Sequence, residues 1–431
     1  MTAIPSRSKR LAWFQDARLG LFIHWGLYSL LERGEWAFVL DAIPAREYEQ
    51  LANRFNPRKF DPDALARMAK AAGMKYLVHT TRHADAFCLF DSRHSVGDFT
   101  VMNTPARRDL VAEFVAACRR HGLKVGLYYH LGDWREPGYF DPRRYPESAR
   151  RMRESAHRQV EELMTNYGRI DLLWYDGWYW EHGNGKLWPG LPRPLARSFW
   201  QAEKLNARVR QLQPHILIND RSGPLEDFGT PEQKVQAEQE GRAWETCMTI
   251  GRQWGFVRYD SQRKSTNQLL AQIIEAVSQG GNFLLNIGPR ADGSVDPRDI
   301  RTLSGIGQWV KPHQSAVYGE LRPSAQWWLL NGRLAQQGKT LFYYLFEWPG
   351  PVAPIPELIS PVKTARLMET GQRLRTRQDA AGRTLIDLPA RPPRPNGINV
   401  VRLDFDAEPR FRLTPNCCWK AGEGGLIGTK T

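Results

Sequence analysis

The chain has 431 residues, 42% hydrophobic and 25% charged, a globular composition long enough for two or three domains with a sizeable core. Its net charge of +14 comes from Lys and Arg spread among acids rather than from a basic tail or a recognisable module, so neither nucleic acid nor a membrane surface is indicated as a partner. The five cysteines, Cys88, Cys118, Cys247, Cys417 and Cys418, are odd in number and lack a CxxC pair, which speaks against a disulfide framework and against a zinc site.

Residues 1–14 are polar and basic without an apolar segment, and no run is long enough to span a membrane, so the chain reads as cytoplasmic. A strand is expected at 19–25 (LGLFIHW) and a helix at 61–73, with Asp61-Pro62-Asp63 as cap and first turn. A second strand follows at 75–81 (KYLVHTT). Residues 108–122 carry Leu110, Phe114, Val115 and Cys118 on one helical face and stop at Gly122. A third strand at 124–131 (KVGLYYHL) precedes a long charged helix at 147–167. Residues 170–176 (IDLLWYD) form an apolar run that ends in an acid before Gly177, the pattern of a buried parallel strand. A helix at 194–212, a strand at 215–219 (HILIN), an irregular stretch, a helix at 267–278, a strand at 282–287 (NFLLNI) and a helix at 299–310 complete this part.

The alternation predicts a parallel sheet with helices outside, a (β/α)8 TIM barrel or a degenerate version of one. A doubly wound open sheet is the alternative, weakened by the absence of a glycine-rich phosphate loop after the first strand. From 321 onward, strands at 340–346, 364–368 and 399–405 separated by turns predict a small antiparallel β-domain. The expected division is a barrel over residues 1–320, a β-domain over 321–414 and a tail over 415–431.

The strand ends deliver His24; His83 and Asp85; His130 and Asp133; Asp176; and Asp220 with Arg221. In a parallel barrel these converge on the carboxyl rim, where the chemistry sits. Metal-assisted hydrolysis would want HxH or HExxH, and a nucleophilic serine would want GxSxG; neither pattern is present. Glycoside hydrolysis needs two carboxylates, about 5–5.5 Å apart for retention. Asp176 supplies one, and the stretch after Arg221 offers Glu226, Asp227, Glu232 and Glu245. The 16 Trp and 14 Tyr suit sugar rings as well as a large core.

Several motifs in order carry a specific resemblance: GLFIHWG at 20–26, GEW at 34–36, NRFNP at 53–57, GLYY at 126–129, WYDG at 174–177, NDR at 219–221, WETC at 244–247 and GGN at 280–282. Over residues 13–318 the chain resembles the α-L-fucosidases of glycoside hydrolase family 29. The resemblance implies a retaining exo-α-L-fucosidase acting on fucosylated oligosaccharides or glycoconjugates, built as a barrel followed by a β-sandwich and needing no metal or organic cofactor. Asp176 matches the nucleophile. Trp174, His24, His83, Glu35, Trp36, Arg221 and Trp254 match sugar-binding positions, with Tyr129 a weaker match. For the acid/base, Thr230-Pro231-Glu232 favours Glu232 over Glu245 and Glu226.

One motif departs from the family pattern. Where His-His-Asp-Gly-Phe is common, this chain has His83-Ala84-Asp85-Ala86-Phe87, and His130 stands where a small residue is usual. His130 is therefore expected to reach toward the place left by Ala84. Two alternatives follow, a catalytically weak fucose-binding relative and a retaining glycosidase of shifted sugar specificity.

Overall fold

The computed structural model describes residues 4–177, 193–236, 241–380 and 382–412. Seven strands form one sheet: β1 (Leu19–Ile23), β2 (Tyr76–Arg82), β3 (Lys124–His130), β4 (Leu172–Asp176), β5 (Leu217–Ile218), β6 (Glu245–Thr249) and β7 (Asn282–Ile287), in the spatial order β5-β4-β3-β2-β1-β7-β6. The pairs from β7 through β1 to β5 are parallel. The runs read as buried strands are buried along their length, which is what a sheet covered on both faces requires.

The edges of this sheet meet through residues 227–233. Asp227 N–H donates to the Ile218 carbonyl at 3.0 Å, Glu245 N–H to Gly229 at 2.9 Å and Cys247 N–H to Pro231 at 3.1 Å. Parallel bridges join Asn219 to Phe228, Gly229 to Trp244 and Glu232 to Cys247. This segment takes the place of an eighth strand, with no helix before it, so the barrel is degenerate. Phe22, Tyr76, Val78, Tyr128, Leu172, Trp174, Leu217, Phe228, Cys247 and Leu284 share one buried cluster; barrels fill their interior with such side chains.

Local chemistry explains the crossover helices. Pro62–Ala71 is capped by Asp61, which accepts the Ala64 N–H at 2.8 Å, and Leu110–Arg120 by Asp109, which accepts the Ala112 N–H at 2.8 Å. Thr266–Ser278 starts with a capping box between Ser265 and Gln268. The helix expected over 194–212 is two, Arg193–Trp200 and Ala202–Leu212, because Gln201 takes a left-handed conformation (φ +48°) that no helix continues through. A helix at Arg7–Ala17 had no sequence signal, since only Leu11, Phe14 and Ala17 of it are buried.

Within the C-terminal part, Arg373–Leu374, Thr364–Leu367, Asn399–Asp404, Thr340–Leu345, Gly332–Gln337 and Arg322–Leu329 form, in spatial order, a six-stranded antiparallel sheet. A second sheet joins Val352–Ile355, Thr384–Asp387 and Thr376–Gln378. Leu334, Leu341, Tyr343, Ile355, Ile386, Val401 and Leu403 from both sheets share one core, as in a β-sandwich. By contacts, the described residues up to 264 together with 283–304 form one compact unit, and 265–282 with those from 305 on form another. The tail expected over 415–431 lies outside the described residues.

Candidate active site

In a strand every second side chain faces the same way. Register pairs Tyr128 with Trp174 and His130 with Asp176 on β3 and β4. A cavity at the carboxyl rim is lined by Phe22, His24, Trp36, His83, Tyr128, His130, Trp134, Trp174, Asp176, Gly177, Arg221, Glu232 and Trp254. Nine residues expected at the site are among them: His24, Trp36, His83, His130, Trp174, Asp176, Arg221, Glu232 and Trp254.

Arg221 organises the charges. Its Nη1 lies 3.3 Å from Asp176 Oδ1 and its Nη2 lies 2.8 Å from Glu232 Oε2, so one guanidinium holds both carboxylates. The fork is itself fixed, with Nε donating to Thr230 Oγ1 at 2.9 Å and Nη2 to the Thr230 carbonyl at 3.1 Å. Thr230 in turn donates to Asp220, which Arg242 pairs at 3.0 Å. The guanidinium rests over the Trp174 ring, 4.7 Å from its centre. Tyr128 donates its hydroxyl to Asp176 Oδ2 at 2.9 Å. Burial opposes a charge on Asp176, but Arg221, His130 and the Tyr128 hydroxyl hold its carboxyl well below the usual carboxylate range. The Asp176 and Glu232 side chains stay 29% and 40% exposed, so a ligand can reach both.

Two of the histidines, His24 and His83, are held neutral. Asn286 donates its amide to the Trp254 carbonyl at 2.7 Å, which leaves Asn286 Oδ1 to accept from His24 Nδ1, also at 2.7 Å. His24 Nε2 is then an acceptor. Burial, then His83, pulls His24 well below the usual range for an imidazole, and burial, then His130, pushes His83 down to about 3. An unfolded imidazole binds its proton near pH 6.5, while the folded His83 stays neutral to about 3. In that window the unfolded state holds more protons, so stability should fall as pH is lowered through it. A urea midpoint lower at pH 5 than at pH 7 is expected, with the His83 ring protons showing no NMR titration above pH 5; a midpoint near 6.5 would contradict the assignment.

Three sequence expectations are corrected. Tyr129 lies one residue out of phase with the lining residues and points away from the cavity, where its hydroxyl donates to Gln159 at 2.7 Å and accepts from Arg82 at 3.0 Å; Tyr128 takes the cavity position. Glu35 is buried and does not line the cavity: its Oε2 accepts the Gly255 N–H at 2.7 Å and ties the 34–36 loop to the Trp254 loop. The rim carboxylates Asp85, Asp133 and Asp220 are structural, bound respectively to Tyr48, to Arg135 and to Arg242. The His130 Nδ1 accepts the Gly132 N–H at 3.1 Å, its Cε1–Nε2 edge lies against Gly177, and its ring centre is 5.7 Å from that of His83, the residue before Ala84. Tyr128, Phe22, Trp134 and Asn286 were missed, although Phe22 and Tyr128 sit two residues before His24 and His130 on the same strand faces.

Gly177 has φ +70°, and a Cβ there would lie 2.2 Å from His130 Cε1. Gly177→Ala should therefore lose about 1–3 kcal/mol from overpacking and about 1–2 kcal/mol more from the left-handed backbone. Guanidinium unfolding checks this, and an unchanged midpoint would refute the contact.

Of the three acid/base candidates only Glu232 lines the cavity. Glu226 is tied to Asn206 and, at 2.6 Å, to Arg210. Glu245 is buried and accepts from Trp174 and Tyr76.

The α-L-fucosidase family model matches residues 3–315 of the chain. Tissue α-L-fucosidase of Bos taurus is 28% identical over 392 residues, 82% of this chain and 78% of the relative. The structure of α-L-fucosidase isoenzyme 1 from Paenibacillus thiaminolyticus is similar with a TM-score of 0.82 at 34% identity, over 93% of this chain and 99% of that one. A Bacteroides thetaiotaomicron family 29 α-L-fucosidase, solved as a covalent intermediate trapped with 2-fluoro-fucosyl fluoride, is similar with a TM-score of 0.80 at 27% identity, over 94% and 98%. With barrel, sandwich and cavity in place, the chain belongs to the α-L-fucosidases of glycoside hydrolase family 29.

Proposed function

We propose that this α-L-fucosidase removes terminal α-L-fucose from glycans or glycoconjugates by double displacement, with Asp176 as nucleophile and Glu232 as acid/base. The observation that carries this reading is the single Arg221 guanidinium joining the two reachable carboxylates. Binding a sugar without cleaving it would not call for such a pair.

Asp176, ionised beside Arg221, attacks the anomeric carbon while Glu232 gives its proton to the leaving oxygen. The sugar is then bonded to Asp176 through an ester. Glu232, now a carboxylate, takes a proton from water as that water attacks the same carbon from the leaving-group side. His24 accepts a sugar hydroxyl through Nε2. His83 supplies a neutral polar edge, and Trp254, Trp174 and Phe22 form an apolar wall suited to the methyl group of a deoxyhexose. Trp36 adds a further indole to the cavity lining, tilted at 50° to Trp134 with ring centres 4.8 Å apart. Glu35 acts through the loop that it ties to Trp254.

The anomer released first tests this. Proton NMR of nitrophenyl α-L-fucoside during early turnover should show α-L-fucose before mutarotation. β-L-fucose as the first product would exclude double displacement.

A further inference from the structure

Glu245 opens β6, is fully buried and does not line the cavity. Its Oε1 accepts the indole N–H of Trp174 at 3.0 Å, and its Oε2 accepts the hydroxyl of Tyr76. Among the described residues no Lys or Arg forms an ion pair with it. Burying an unpaired carboxylate is costly, and burial pushes Glu245 up to about 7 against its two hydrogen bonds. As an acceptor it nonetheless does what a neutral group does less well, since hydrogen bonds to an ionised acceptor are roughly twice as strong as neutral ones.

Trp174 is the next link. One side of its ring stacks on Tyr128 at 21° with centres 5.6 Å apart, and the Arg221 guanidinium rests over the ring at 4.7 Å. Tyr128 and Arg221 are the two groups bonded to Asp176, and Arg221 also holds Glu232. The indole is thus the plate on which the charged part of the site is mounted, and its N–H is its one directional bond. A carboxylate accepting that N–H also draws negative charge toward the ring face that Arg221 occupies.

We propose that Glu245 is a positioning residue for hydrolysis: by accepting the Trp174 N–H it sets the plane of the indole, and through it the placement of Arg221, Asp176 and Glu232 around the sugar. This rests on the roles given above to Asp176 and Glu232. Glu245 does not exchange protons with the leaving group, because it is buried outside the cavity lining with one oxygen engaged by the Trp174 N–H and the other by the Tyr76 hydroxyl.

The test is a double-mutant cycle on the full chain with Glu245→Ala, Glu245→Gln, Trp174→Phe and the Glu245→Ala/Trp174→Phe pair. Each is assayed on nitrophenyl α-L-fucoside and on methyl α-L-fucoside, with circular dichroism to confirm folding. Glu245→Ala should lower kcat about 100-fold on both substrates, the size expected of a misplaced site, with a much smaller change in KM and no rescue by azide. Glutamine, which can accept from Trp174 and donate to the Tyr76 oxygen, should restore kcat to within about fivefold of wild type. In the Trp174→Phe background, which has no N–H to hold, Glu245→Ala should cost less than about fivefold.

Equal cost in both backgrounds would overturn the proposal, as would an unchanged kcat in Glu245→Ala. So would a loss confined to methyl fucoside with rescue by azide, which would make Glu245 the acid/base itself. If Glu245→Ala does not fold, Glu245→Gln decides: a loss beyond about 100-fold on methyl fucoside refutes positioning, and near-wild-type rates with a tenfold or greater kcat loss in Trp174→Phe support it. Glu232→Ala is measured beside these variants. If it shows no leaving-group dependence while the cycle stays coupled, the acid/base assignment fails and the positioning role stands.

Discussion

Asp176→Ala should abolish hydrolysis of every fucoside, with kcat lowered on the order of 10⁴-fold or more. Among the described residues only Asp176 and Glu232 bring carboxylates to the cavity, and Arg221 sits between them. The loss should be the same for good and poor leaving groups, because bond formation to the anomeric carbon fails in both cases. The vacated space gives a second readout. Azide admitted there attacks an activated α-fucoside from the nucleophile's face and yields β-L-fucosyl azide. The Tyr128 hydroxyl, which loses its carboxylate partner, should not compensate, because burial pushes its pKa well above the usual phenol value. An Asp176→Ala enzyme retaining a tenth of wild-type kcat would end this account.

Glu232→Ala should behave differently. The first step on nitrophenyl fucoside needs little proton donation, so kcat/KM for it should stay within about tenfold of wild type. On methyl fucoside kcat/KM should fall about 10²–10⁴-fold, the usual contribution of acid catalysis. Azide now enters from the leaving-group side of the fucosyl-enzyme, so the product is α-L-fucosyl azide, the opposite anomer to that of Asp176→Ala. Removing Glu232 also leaves the Arg221 Nη2 without its 2.8 Å carboxylate partner, which concentrates the guanidinium on Asp176. Equal losses on both substrates would move the acid role elsewhere.

The parallel strands that are apolar throughout were legible in the sequence, because burial on both faces leaves a continuous run: β1, β2, β3, β4 and β7 all lie where such runs stand. Strand β6 and the 227–233 segment were not. Glu245, Thr246 and Thr249 are polar yet buried, and the polarity of Glu245 is satisfied by partners that lie far away in sequence, Trp174 and Tyr76. The same distance problem limited the site. Residues at strand ends were found because the barrel geometry converges there, but a carboxylate at a strand end reads alike whether it faces the cavity, as Asp176 does, or clamps a loop, as Asp133 does through Arg135. Tyr128 and Tyr129 differ only by strand parity. Counting back by two from His130 selects Tyr128, and counting by two was the signal available. A motif favours Glu232 over Glu245, whereas what separates them in three dimensions is that Glu232 lines the cavity and Glu245 is buried, bonded to Trp174 and Tyr76.

The most direct measurement is to trap the enzyme with 2-fluoro-fucosyl fluoride and map the modified peptide by mass spectrometry. The account predicts one fluorofucosyl group per chain, esterified to Asp176 and absent from Asp176→Ala. An adduct on Glu232, Glu245 or any other residue, or turnover without any adduct, would contradict it.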